Sequence, residues 1–142
     1  MRRALIDNSA WSRLFSPTTV PAGRRSEVGR AIEAGDVFVC VPFLLEAGYS
    51  ARNAMDHDEL LCELEALPNL EIDSVVERRA LDAQAQLARV GHHRLPTVDL
   101  LLSAIADRHQ VDVLHYDADY DLIASMTDLR FGSVWLATRG SL

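Results

Sequence analysis

The chain has 142 residues, 49% of them hydrophobic and 25% charged, with a formal net charge of −7; this suits one globular domain with a real core, not a surface coated for non-specific nucleic-acid binding. All 14 basic residues are arginine, which excludes P-loop nucleotide binding, Schiff-base catalysis and phosphotransfer folds that depend on a lysine. Cys40 and Cys62 form neither a C-x-x-C nor a zinc spacing and read as reduced thiols, and no apolar run has transmembrane or signal-peptide length, so a soluble cytoplasmic protein with no membrane association is expected.

In chain order, "RALID" (3–7) reads as a first strand, and Trp11, Leu14 and Phe15 follow it at helical spacing. "SPTTVPAGRR" (16–25) reads as a loop. A helix is expected over 26–35, closed by its glycine, then a strand over "DVFVCV" (36–41) and a helix over 42–53 opened by proline. Helical spacing recurs at 56–67, 75–90 and 97–109, with further strands expected at 70–73 (LEID), 111–116 (VDVLHY) and 133–137 (SVWLA). No repeat or linker divides the chain. The alternation predicts an α/β fold, a three-layer α/β/α arrangement with a central, mainly parallel sheet of about five strands, as a single domain over 1–142.

Ligands of open parallel sheets bind outside the carboxyl ends of the strands. Asp7 stands at one such end and Asp117 at another, while Glu46 and Asp99 sit near the openings of helices that start from the same edge. Taken singly, each aspartate also fits a cap, a helix-dipole partner or a turn. Glu46 interrupts the apolar "VPFLLEAGY", where a carboxylate is costly unless paired or bound to a metal. Jointly, the acids need positive charge, and the donor set favours a hard divalent ion, Mg2+ with Mn2+ as a substitute, over zinc.

The order "LIDNS" (Asp7, Ser9), Glu46 in a helix, "LPTVDLLLSAIA" (Asp99) and "DADY" (Asp117, Asp119) resembles the PIN-domain ribonucleases, and among them the VapC-type toxins of prokaryotic toxin-antitoxin pairs. The family's usual D-T-S is D-N-S here, and Asp121 lies beyond the last motif and is left out of the site.

The resemblance implies a PIN-like fold and Mg2+-dependent hydrolysis of RNA phosphodiesters by water, giving 5′-phosphate and 3′-hydroxyl ends. Asp7, Asp99, Asp117 and Asp119 would hold one or two metal ions, directly or through water, Glu46 would bind a metal-bound water or help orient the attacking one, and Ser9 would support Asp7 or a metal-bound water. It also implies a homodimer and a cognate VapB-like antitoxin whose tail crosses the acidic groove, with Trp11, Leu14 and Phe15 as candidates for the groove or dimer, alternatively for an ordinary place in the core. The segment "RVGHHRLP" carries Arg89, His92, His93 and Arg94 just before the helix of Asp99 and is a candidate RNA guide, alternatively a solvated loop; "GRR" (23–25) is a second, and His115 reads as structural.

Two other readings compete with this one. A haloacid-dehalogenase-like phosphatase would need D-x-D at the first strand and a later lysine, both missing here. A catalytically silent PIN-like binding module would keep the acids only to dock a basic partner.

Overall fold

The structure is a computed structural model that describes residues 1–14 and 20–142. Phe15 and the first part of the expected 16–25 loop lie outside the described residues. Four strands, β1 (Ala4–Ile6), β2 (Val37–Phe38), β3 (Asp112–His115) and β4 (Ser133–Trp135), form one parallel sheet in the order β2-β1-β3-β4. Leu5 pairs with Phe38 on one side and Val113 on the other, and His115 pairs with Trp135. The short runs ALI and DVLH are buried throughout, as helix cover on both faces of a parallel sheet requires.

Seven helices among the described residues connect and cover these strands: α1 (Asn8–Leu14), α2 (Ala22–Glu33), α3 (Val41–Tyr49), α4 (Ala54–Leu64), α5 (Ser74–Arg89), α6 (Thr97–His109) and α7 (Asp119–Met126). The α/β class and parallel sheet are as expected, and the strand count is lower by one. Residues 70–73 form no strand. The chain there makes one parallel bridge, Val39 to Asn69, plus a hydrogen bond from the Leu70 N–H to the Val39 carbonyl at 2.8 Å. Glu71, Ile72 and Asp73 then stand exposed, and Asp73 turns to cap α5, its side chain accepting from the Val76 N–H at 2.9 Å. Capping a long amphipathic helix takes the residues that a fifth strand would need.

Helix α2 also starts earlier than expected, directly after Pro21. Its Arg24 donates to the carbonyls of Trp135 and Leu136, each at 3.1 Å, and to Glu27 at 2.8 Å, so this arginine ties α2 to the end of β4 and does not wait for RNA in a loop. Gly35 follows the helix with φ +77°, the left-handed turn expected of it.

One buried cluster runs from Ala4 through Phe43, Leu87 and Ile105 to Leu136. Leu14 lies within it and Trp11 packs against it, edge-on to Phe43, which gives both the ordinary core role. Helix α6 is anchored at its far end: Arg79 grips Asp107 through two hydrogen bonds, 3.1 and 3.2 Å, and the Arg130 N–H adds a third at 2.8 Å. Gly132 leads into β4 past Asp112, where an added Cβ would lie 2.3 Å from the Asp112 Oδ1. Among the described residues, no helix is long and apolar enough to cross a membrane.

Candidate active site

Asp7 is fixed by the backbone on both sides. Its N–H bonds to the Leu114 carbonyl across the sheet (3.0 Å), while its own carbonyl accepts from Ala10 and Trp11 to open α1. The sequence therefore changes from strand to helix at this residue and leaves the carboxylate buried at the sheet edge. Asp7 Oδ2 accepts from both the N–H (2.9 Å) and the hydroxyl of Ser9, and the Ser9 oxygen in turn accepts from the Tyr116 N–H (2.9 Å). Asp7 Oδ1 accepts from the Tyr120 hydroxyl at 2.8 Å.

Tyr120 is completely buried and lies 3.4 Å from Asp99 Oδ1. The same hydroxyl faces both carboxylates, and a phenol with one proton to give makes the short contact to Asp7 and the longer, weaker one to Asp99. Asp99 Oδ2 is buried and has no hydrogen-bond partner among the described residues.

Oxygens of Asp99, Asp117 and Asp119 lie within 4.8 Å of one another. At that spacing two full charges repel by about 3.5 kcal/mol in an effective dielectric of about 20. Asp99 occupies the first turn of α6, where the helix dipole favours an anion by only about 0.3–1 kcal/mol. Burial first, then Asp7, Asp117, Asp119 and Glu46, outweigh the dipole and push the Asp99 carboxyl up to about 8. Asp119 is raised for the same reasons, burial and then the Asp117 charge. Asp117 Oδ1 accepts from the Asp119 N–H at 2.9 Å and so starts α7, a helix not among those expected from the sequence.

Glu46, half-buried on α3, is raised by burial and by the Asp7 charge, and a hydrogen bond from the Asn8 side chain partly offsets this. The structure thus brings Asp7, Ser9, Glu46, Asp99, Asp117 and Asp119 to one edge, with Asp7 beside the close trio and joined to it through Tyr120.

Two contributors were missed from sequence, Asn8 and Tyr120. Both stood inside the quoted motifs: Asn8 as the departure from D-T-S, Tyr120 as the aromatic closing "DADY".

Asp121 stays outside the cluster. It accepts from the Ser133 hydroxyl (2.6 Å) and the Trp135 indole N–H (3.0 Å). His115, fully buried, accepts at Nδ1 from the Asp117 N–H (3.1 Å) and so donates from Nε2 to Ser133 (2.7 Å). Burial lowers its pKa and keeps the ring neutral, as that chain of donors requires. The histidine is structural, and what it braces is the Asp117 backbone.

Arg89, His93 and Arg94 are exposed and His92 partly so, in a tight turn closed by the His92 N–H on the Leu87 carbonyl (2.8 Å). The turn immediately precedes α6, yet among the described residues no hydrogen bond or ion pair joins these side chains to the acids.

The PIN-domain family model matches residues 4–125. Two relatives from Mycobacterium tuberculosis are similar over nearly the whole chain. Ribonuclease VapC51 is 39% identical over 123 residues, covering 87% of this chain and 86% of its own, and Ribonuclease VapC18 is 33% identical, covering 96% and 97%. Among solved structures, DNA-bound VapBC from Salmonella typhimurium superposes with a TM-score of 0.71 at 15% identity, covering 96% of this chain and 100% of that one.

Proposed function

The chain belongs to the PIN-domain family, and on that footing we propose that it is a divalent-metal-dependent endoribonuclease, the VapC-type toxin of a toxin-antitoxin pair. The observation that carries this reading is the buried, unpartnered oxygen of Asp99 in a trio of carboxylates within 4.8 Å, a seat whose repulsion is relieved by a cation. The whole chain, 1–142, is taken as a single PIN domain, supported by one continuous core from Ala4 to Leu136.

The residues fit a hard ion: every donor is a carboxylate or hydroxyl oxygen, which suits Mg2+, with Mn2+ able to replace it. Asp99, Asp117 and Asp119 would hold the ion, and Asp7, steadied by Ser9 and Tyr120, completes the acidic set. When bound, the ion lowers the pKa of water and offsets charge on phosphoryl oxygens. Glu46 stands at the half-exposed rim with its proton affinity raised, which suits a group that orients the attacking water and takes its proton. The His115–Ser133–Asp121 chain keeps the Asp117 turn in place while substrate binds. Cleavage would leave 5′-phosphate and 3′-hydroxyl ends.

The relatives are named ribonucleases and the structural neighbour is a VapBC complex, which supports an RNA substrate and a VapB-like antitoxin for this chain. A basic antitoxin side chain would be attracted to the same acids that attract the metal. A homodimer is part of the same reading.

The test is cleavage of total small RNA by antitoxin-free protein, with Mg2+, with EDTA, and with Asp7→Asn or Asp99→Asn. Fragments that require Mg2+ and vanish in both variants are expected. Equal silence of parent and variants, with a basic peptide still bound, would instead favour a docking module.

A further inference from the structure

An acidic seat repels the polyanion it is to cut, so the strand needs cationic contacts close by. Among the described residues, several arginines elsewhere on the chain pair with acids: Arg24 with Glu27, Arg52 with Asp56, Arg78 with Asp82, Arg79 with Asp107, and Arg108 with Asp73, while Arg89 and Arg94 stand exposed in the turn before α6 without an acid partner. Two more without one lie against aromatic rings beside the site. Arg13, on α1, donates to the Ser9 carbonyl at 2.8 Å and lies over the Tyr116 ring, 4.9 Å from its centre. Arg139, exposed near the C-terminus, lies 5.9 Å over the Trp135 ring.

The two rings are themselves joined. Tyr116 and Trp135 meet edge to face at 5.4 Å, and the Tyr116 hydroxyl accepts from the Leu142 N–H at 2.8 Å, which pins the chain end beside them. Tyr116 immediately precedes Asp117 and touches Ser9 through its backbone, so this row of arginine, tyrosine, tryptophan and arginine borders the acidic seat. Ring faces hold guanidinium groups by cation–π attraction while leaving N–H groups to bind elsewhere, and a guanidinium matches a phosphate with two parallel bonds.

We infer that Arg13 and Arg139, seated on Tyr116 and Trp135, are phosphate-contacting residues that hold the RNA strand on the β4 side of the acidic seat. The assignment rests on the ribonuclease reading for its substrate class. With Arg13 over one face of Tyr116, the rings serve as seats for the arginines and not as platforms for bases. The strand then crosses the seat from this row.

Binding is read by anisotropy of a labelled single-stranded RNA oligonucleotide in Mg2+, using the full chain carrying Asp117→Asn to silence cleavage. Cleavage is read in parallel with Asp117 intact. Arg13→Gln and Arg139→Gln should each weaken binding about tenfold, as loss of a charge-assisted contact does. Each should also lower the salt dependence of log K by about 0.7, the share of one single-strand phosphate contact. Arg13→Lys should restore the salt slope more fully than the affinity, and in cleavage KM should rise while kcat holds. Among the described residues Arg139 makes no hydrogen bond to the backbone, so its variant answers even if Arg13→Gln unfolds. Unchanged RNA affinity and slope in the Arg139 and Arg13 variants, or a parent that binds no RNA, would overturn the assignment. A parent that binds RNA through both arginines yet cuts nothing refutes the ribonuclease reading alone, whereas cleavage indifferent to both refutes the arginine row alone.

Discussion

Asp99→Asn should stabilise the protein in EDTA, and the gain should widen above pH 6.5. Burial and four neighbouring carboxylates hold the folded Asp99 at about 8, against an ordinary 3.8 that the unfolded chain recovers. Between those values the unfolded chain releases a proton that the folded chain retains, so stability falls as pH rises and levels off once Asp99 ionises near 8. Glu46 and Asp119 are shifted in the same direction and act with the same sign. His115 opposes them, because its folded pKa is depressed below 6.5, but that contribution fades above 6.5 as the unfolded imidazole loses its proton. From 6.5 to 8 the acids therefore dominate. One proton across it corresponds to about 1.4 kcal/mol per pH unit, roughly 2 kcal/mol in all, or a Tm lower by about 4–8 °C in a domain of this size. Thermal unfolding followed by circular dichroism should show that fall in the parent, a flatter profile in the asparagine variant, and a flatter profile in the parent once Mg2+ is added. A parent equally stable at both ends of the window in EDTA, with the variant no better, would refute the claim that the seat stores repulsion.

Tyr120→Phe keeps the buried ring but strips Asp7 Oδ1 of its donor; kcat should fall about tenfold, the equivalent of about 1.4 kcal/mol, with cooperative melting retained. Glu46→Gln should lower kcat by about 10²-fold or more and remove the rising limb of the pH–rate profile. That limb in the parent should lie above 4.5, because burial and Asp7 raise the Glu46 pKa; Mn2+ binding measured by titration should be little changed. Gly132→Ala forces a Cβ to within 2.3 Å of Asp112, and chemical denaturation should show a loss of about 1–3 kcal/mol.

The parallel order and the four acids of the edge were legible because alternation of apolar runs and helical spacing places strand ends where the acids stand. Residues 70–73 misled because "LEID" carries strand-like residues while its last aspartate is worth more as the cap of α5. The α7 start was hidden for a related reason. An aspartate that begins a turn and one that begins a helix look alike until Asp117 is seen accepting from the Asp119 N–H. The resemblance placed Asp7 among the metal ligands with Ser9, two residues on, as its support, but its other neighbour Tyr120 is a long-range contact, and no spacing rule contains a partner 113 residues away. Arg24 shows the reverse case, a basic residue in an apparent loop that the fold spends on the carbonyls of Trp135 and Leu136.

Helix α6 carries a buried carboxylate near each end, Asp99 unpartnered at one oxygen and Asp107 gripped by Arg79. Eight residues of helix separate them by about 12 Å along a stiff rod. The rod behaves as a lever whose fulcrum is the Arg79 grip: letting the far end slip or roll swings Asp99 relative to Asp117 and Asp119, which belong to a different segment. A survey of inactivating substitutions would then register Arg79 alongside the acids although it grips the opposite end of α6 from Asp99, and a distant second change that re-seats α6 should recover activity without touching the edge where the acids stand.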